Sequence, residues 1–290
     1  LNKAPKSFLY KMLRKKNITL NGKKASGNEK LAKGDCVKLF LSDETIQKFS
    51  ETFSGYTNVS LDILYEDEDI ILINKPVGML SQKAARSDES LVEHLISYLI
   101  QSHALTEEDL RTFRPSICNR LDRNTSGIVA AGKSMAGLQS LSQMFHDRTI
   151  GKYYLCIVKG VIDSPRRIQG WLLKNEKTNQ VTVTKQRREG SLPIETEYVP
   201  MASDGHYTLL KVKLITGRSH QIRAHLASIG HPLLGDVVYG AKKPVPGLAG
   251  QCLHARRLSF VHPRTGERVT VECPLPAYFT QVLTKLRHLV

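Results

Sequence analysis

The stretch Leu210-Lys-Val-Lys-Leu214 alternates apolar and charged residues one by one. A period of two is the strand period, so one face is buried and the other meets water. A strand wetted on one face fits an antiparallel sheet, since parallel strands are normally covered on both sides. Tyr153–Val158 reads as a second strand, and Ile70–Ile73 as a short apolar one ended by Lys75-Pro76 and Gly78. Helical spacing appears in Leu91, Leu95 and Leu99 after Ser90, and in Leu138, Leu141 and Phe145 after Ser134. It recurs in Ile222, Leu226 and Ile229, closed by Gly230, and in Phe279, Val282, Leu283 and Leu286 after Pro276. The segments do not follow a regular strand–helix–strand alternation. The expected fold class is therefore α+β and not doubly wound α/β.

The 290 residues carry 42 Lys+Arg against 27 Asp+Glu, a net charge of +15. Hydrophobic residues make up 41%, enough for a core, which excludes general disorder. The positive balance favours a polyanionic partner. More than half of it sits in the first 48 residues, where twelve Lys+Arg face four Asp+Glu, a net +8. Within them, Ser7 is the expected cap of a helix bearing Phe8, Met12 and Leu13, flanked by Lys11, Arg14, Lys15 and Lys16. Ile18–Leu20 and Val37–Leu41 read as strands, with Asn21-Gly22 as a tight turn. A compact basic unit of this kind suits phosphate contact better than a merely solvated face. Polar, aperiodic residues 49–58 read as a linker to a larger domain, 59–290.

No apolar run approaches the ~18 residues of a spanning helix, so no membrane partner is expected. Leu-Asn-Lys-Ala-Pro-Lys at the amino end has no apolar core and does not read as a signal peptide. It lacks an initiator Met, so the chain is expected to start inside a longer one. The five cysteines are scattered with no CxxC pair, which fits a reducing cytoplasm with neither disulfides nor a zinc ribbon.

Four segments could carry chemistry. In Cys118-Asn-Arg-Leu-Asp-Arg-Asn-Thr-Ser-Gly127, Asp122 lies between Arg120 and Arg123 in a turn-forming run. A cation in reach lowers an Asp pKa by roughly 1–3 units and keeps it ready as nucleophile or base. Taken alone, a surface turn with an ion pair explains the segment better. In Thr216–Asp236, a helix starting near Arg218 would place His220 and Arg223 together, off the Ile222/Leu226/Ile229 stripe. His220, His225 and His231 are spaced five and six apart, which does not suit a metal. Gly127-Ile-Val-Ala-Ala-Gly-Lys-Ser134 matches the phosphate-loop pattern of nucleotide hydrolases letter for letter. Its middle is apolar and reads as a strand, so a buried strand followed by a helix cap is the better reading. Finally, strand alternation sets Lys152, Tyr154 and Cys156 on one face of 148–158, where a Tyr facing a cleft could stack on a base or move a proton.

Together these segments resemble the RluA-type family of RNA pseudouridine synthases across nearly all of 59–290. The matching residues are Asn74–Gly78, Asn119–Gly127, Lys152–Leu155, Gly217–Arg223, Gly230–Asp236 and Leu253–Ala255. Residues 1–48 resemble the small S4 RNA-binding domain through Tyr10–Ile18, Leu20–Lys23 and Gly34-Asp35, with its first helix expected to be missing. The resemblance implies a mixed, mainly antiparallel sheet with flanking helices and a central cleft, and no metal or cofactor. It implies Asp122 as the catalytic aspartate, Tyr154 as the active-site tyrosine and Arg223 as the aspartate's partner. Arg120 would fill the gap left by a flipped nucleotide, and Arg218, His220, Gln221 and the basic helix 11–16 would meet RNA. Asn119 departs from the family pattern, which usually has His there, and puts fine substrate contacts in question. The implied partner is structured RNA, with large-subunit ribosomal RNA preferred, and no protein partner is required. Loss of catalysis to leave an RNA-binding module is the competing reading, and a nucleotide hydrolase a weaker one.

Overall fold

The computed structural model describes residues 1, 4–49, 60–85, 87–240, 245–248 and 250–286. The chain divides into two compact units, Leu1–Gly55 and Tyr56–Val290. The expected linker at 49–58 falls, apart from Phe49, outside the described residues.

The first unit runs α1 (Lys6–Arg14), β1 (Ile18–Leu20), β2 (Lys23–Lys24), β3 (Val37–Leu39) and α2 (Asp43–Lys48). Its three strands form an antiparallel sheet in the order β2-β1-β3. Asn21 and Gly22 both adopt positive φ, 51° and 74°, as a two-residue hairpin turn requires. Met12 and Ile18 are buried, while Lys11, Arg14, Lys15 and Lys16 are exposed. Ser7 does not cap the helix. Pro5 takes that position at φ −64° with no side-chain cap, so the helix begins one residue ahead of Ser7. The third strand ends at Leu39, two residues earlier than expected.

In the second unit, β4 (Ile63–Glu66), β5 (Ile70–Lys75), α3 (Leu91–Gln101), β6 (Ser116–Ile117), β7 (Ser126–Gly132) and α4 (Met135–His146) come first. There follow β8 (Gly151–Lys159), β9 (Arg166–Asn175), β10 (Gln180–Thr184), β11 (Leu192–Ser203) and β12 (Tyr207–Leu214). Next are α5 (Gln221–Ser228), β13 (Leu253–Val261), β14 (Arg268–Glu272) and α6 (Ala277–Lys285). The strands form one sheet in the order β10-β9-β11-β12-β8-β13-β7-β5-β4, with β14 on β13 and β6 on β7. Among the named strands every pairing is antiparallel except β13 with β7, so the class is α+β.

The uninterrupted apolar runs lie on β5 and β7 because both faces of these strands are covered. Ile71, Ile73, Val129 and Ala131 pack with Leu91, Leu95 and Leu99 of α3, while Ile70, Leu72, Ile128 and Ala130 pack with Leu141 of α4. Each fully buried Ile, Leu or Val among these contributes about 1.5–3 kcal/mol. This settles the Gly127–Ser134 segment as a strand with a cap. Gly127 to Gly132 belong to buried β7, and the Ser134 hydroxyl accepts from the Gly137 N–H at 3.0 Å to cap α4. Strand edges leave no turn there to cradle a phosphate. Gly127 also permits the close β7–β13 approach, since a Cβ at its φ of +112° would lie 2.3 Å from the Ala255 carbonyl oxygen.

Candidate active site

Asp122 sits in the loop between β6 and β7, and that loop is fastened from both sides. The Ser81 hydroxyl donates to the Leu121 carbonyl and accepts from its N–H, at 2.8 and 3.0 Å. The Gly78 N–H donates to the Arg123 carbonyl at 2.8 Å, and Arg123 Nε returns a bond to the Gly78 carbonyl at 3.0 Å. Lys75, at 0% exposure, donates from Nζ to the carbonyls of Pro76, Met79 and Arg123 at 2.8, 2.8 and 3.2 Å. Burial pushes its pKa down to about 8, and the Asp122 charge works in the opposite direction. Asn119 donates to the Ile128 carbonyl and accepts from the Ala130 N–H. Its amide thus serves both a donor and an acceptor of β7 just ahead of the loop.

Arg223 projects from α5 onto this loop. Its Nη1 donates to Asp122 Oδ2 at 2.9 Å, and its Nε and Nη2 fork onto Asp236 at 2.7 and 2.9 Å. Asp236 is fully buried and also accepts from the Val238 and Tyr239 N–H groups. The Tyr239 ring lies under the guanidinium, 5.2 Å from its carbon. Burial alone would lower the Arg223 pKa, but the hydrogen bonds and charges of Asp236 and Asp122 outweigh it and raise it. The second Asp122 oxygen, Oδ1, makes no hydrogen bond among the described residues and lies 3.9 Å from His220 Nε2. One carboxylate oxygen is therefore anchored, while the other has only the longer His220 contact among the described residues.

Tyr154 approaches from β8, buried apart from 8% of its surface. Burial first, and the Asp122 charge second, raise its pKa, so the phenol stays protonated at neutral pH. His220 caps α5 in the left-handed region at φ 53° and shares a hydrogen bond from Nδ1 with the Tyr239 hydroxyl at 2.9 Å. Burial lowers its pKa, Asp122 opposes this, and Arg223 adds to the lowering.

Several placements differ from the sequence expectation. Helix α5 starts at Gln221, not near Arg218, and residues 221–226 are all buried, so Arg223 does not lie on a solvated face. Two carboxylates make that burial tolerable. Ile229 stands at the helix end and is 38% exposed, outside the stripe. Gln221, expected to meet RNA, points inward. Its amide accepts from Thr216 Oγ1 and Arg218 N and donates to the Glu195 carbonyl and Thr196 Oγ1. Arg120 is exposed, and Arg218 is half-buried with its Nε unpartnered among the described residues. Sequence reasoning quoted Lys75 and Asp236 within matching motifs but gave neither a role, and did not mark Ser81. The signal for Lys75 was a lysine closing an otherwise apolar strand. Nothing local marked Asp236 as the second partner of Arg223.

A family model described as RNA pseudouridylate synthase matches residues 69–228. The chain belongs to the RNA pseudouridylate synthase family. It is 31% identical to the ribosomal large subunit pseudouridine synthase C of Vibrio cholerae, across 99% of this chain and 90% of that one. It is 33% identical to an uncharacterised RNA pseudouridine synthase of Bacillus subtilis, across 93% and 86%. Among solved structures, human RNA pseudouridylate synthase domain containing 4 superposes with a TM-score of 0.64 at 22% identity, across 78% of this chain and 93% of that one, which supports the fold. As a member of this family the synthase isomerises uridine. Asn119 keeps the loop tied to β7 through the two amide bonds described above. No described helix is long and apolar enough to cross a membrane, and no metal-ligating cluster occurs among the described residues.

Proposed function

We propose that this synthase converts uridines of structured RNA to pseudouridine, with large-subunit ribosomal RNA as substrate, as the names of its bacterial relatives state for those proteins. Asp122 is the catalytic carboxylate, Arg223 holds it, and Tyr154 faces the flipped base. Arg120, Arg218 and His220 contact RNA around the site, and Lys11, Arg14, Lys15 and Lys16 of an S4-like first unit add phosphate contacts. The observation that carries the reading is the half-anchored Asp122, with one oxygen hydrogen-bonded to Arg223 and the other to none of the described residues.

The reaction breaks the N1–C1′ bond, rotates uracil and forms C5–C1′. The C5 proton leaves to solvent and N1 gains one, so atoms balance without oxidation or reduction. The chemistry needs a flipped nucleotide, at a cost of a few kcal/mol of stacking, and a carboxylate held at the sugar–base junction. In this reading Arg120, exposed two positions before Asp122, fills the gap left in the stack. Tritium release from an unmodified large-subunit ribosomal RNA transcript carrying [5-³H]uridine tests this. Asp122→Asn abolishes release in the proposed mechanism; retained wild-type turnover refutes it. Tight binding by the unaltered protein without any release supports the non-catalytic reading instead.

A further inference from the structure

A second cavity of about 330 Å³ opens where β8 begins and β12 ends. Arg148, Lys152, Tyr153, Lys213, Ser259 and Arg268 are among its walls. Four of these six are cationic. Lys152 is 93% buried (7% exposed) and has neither an acidic partner nor a hydrogen bond among the described residues. Burial and the neighbouring Arg148 charge both lower its pKa. The Nζ itself is not among the buried unpartnered atoms, so it opens to the cavity, where an anion would pair it together with Arg148. No carboxylate pairs with Lys152 among the described residues, although Glu195 also feels the Arg148 charge. Glu195 binds Arg167 and Gln169, and Glu272 faces Arg256 and Arg257. Arg257 stacks over the Tyr153 ring at 4.3 Å, and its Nε, like that of Arg218, is buried without a partner among the described residues.

The cavity shares strand β8 with the reaction site. Lys152 and Tyr154 share one face of β8, about 7 Å apart at the strand rise. A Cβ on Gly217 would lie 3.7 Å from Lys152 Nζ, so that amine sits against the turn leading into α5 and Arg223. We infer that this cavity, centred on Lys152, binds a backbone phosphate of the RNA next to the flipped uridine. This rests on the proposed isomerase reading and adds a substrate contact outside its catalytic groups.

The test uses the full chain and the same ribosomal transcript. Removing one phosphate contact lowers the slope of log affinity against log salt by about 0.7–0.9. Lys152→Met is expected to show that drop and a rise in KM of roughly tenfold, the loss of one charge-assisted bond. Its Tm should hold, because the amine makes no hydrogen bond or ion pair among the described residues. Exposed Arg268→Gln serves as a second variant and should lower the slope in the same direction. An unchanged slope and KM in both folded variants overturns the inference. So does a thermal shift with inorganic phosphate that Lys152→Met removes while its RNA slope stays at the wild-type value, which would mark a free-anion site. Absence of tritium release by the wild type refutes the isomerase reading instead, and the salt slopes still report on the cavity.

Discussion

Asp236→Asn separates the role of Arg223 from that of Asp122. Asp236 is fully buried, Arg223 is nearly so, and two of the three guanidinium bonds in this cluster go to Asp236. Breaking a buried pair costs about 3–5 kcal/mol when the remaining charge is left alone. Here Arg223 keeps Asp122, and Asn still offers one acceptor oxygen, so the expected loss is about 2–3 kcal/mol. For a unit of this size, each kcal/mol shifts Tm by about 2–4 °C, giving a fall of about 4–12 °C. The guanidinium is then no longer aimed by a rigid fork, and a displacement on the order of 1 Å at the reacting group is expected to lower turnover about 100-fold. Thermal unfolding and tritium release measure the two effects. Asp122→Asn should behave differently, losing turnover with little change in Tm, because Asp122 is 25% exposed and Arg223 retains Asp236. If Asp236→Asn keeps wild-type Tm and turnover, the reasoning about the three-residue cluster fails.

Two further expectations concern buried titrating groups. Lys75 has its pKa lowered to about 8 from an ordinary 10.5, so the unfolded chain holds a proton that the folded chain releases between those values. Stability should therefore rise with pH from 8 to 10.5, by about 3 kcal/mol. Lys75→Met should lack that rise in denaturant titrations and be less stable at pH 7, having left three carbonyls unpaired; equal pH slopes would count against the assignment. His254 is fully buried, with Nδ1 against the Ser126 hydroxyl at 2.8 Å, and burial pushes its pKa down to about 4 from 6.5. The unfolded chain protonates first, so about 3 kcal/mol of stability is lost as pH falls from 6.5 to 4. A His254→Gln variant should lose correspondingly less over that window, and identical acid-unfolding curves would show that His254 does not carry the effect.

Several of the elements were legible in the sequence. The Leu210–Leu214 alternation became β12, the run from Ile70 became β5, and Ser134 caps α4 as its position suggested. Such signals are local, because period and capping depend on residues a few positions apart. The turn-rich run around Asp122 could be read as a loop, and the family resemblance marked it, but no window of sequence carries its fastenings. Asp122 and Arg223 are 101 positions apart, and Lys75 reaches the Arg123 carbonyl across 48. Whether Arg223 would face water or carboxylates depended on where the chain folds back on itself, and amphipathic spacing alone pointed to the wrong side of α5. The fork from Arg223 to Asp236 and the unpaired amine of Lys152 were decided only in three dimensions. Charge pairing is a property of distance in space, and the strand order that brings these groups together is set by the packing of the whole sheet.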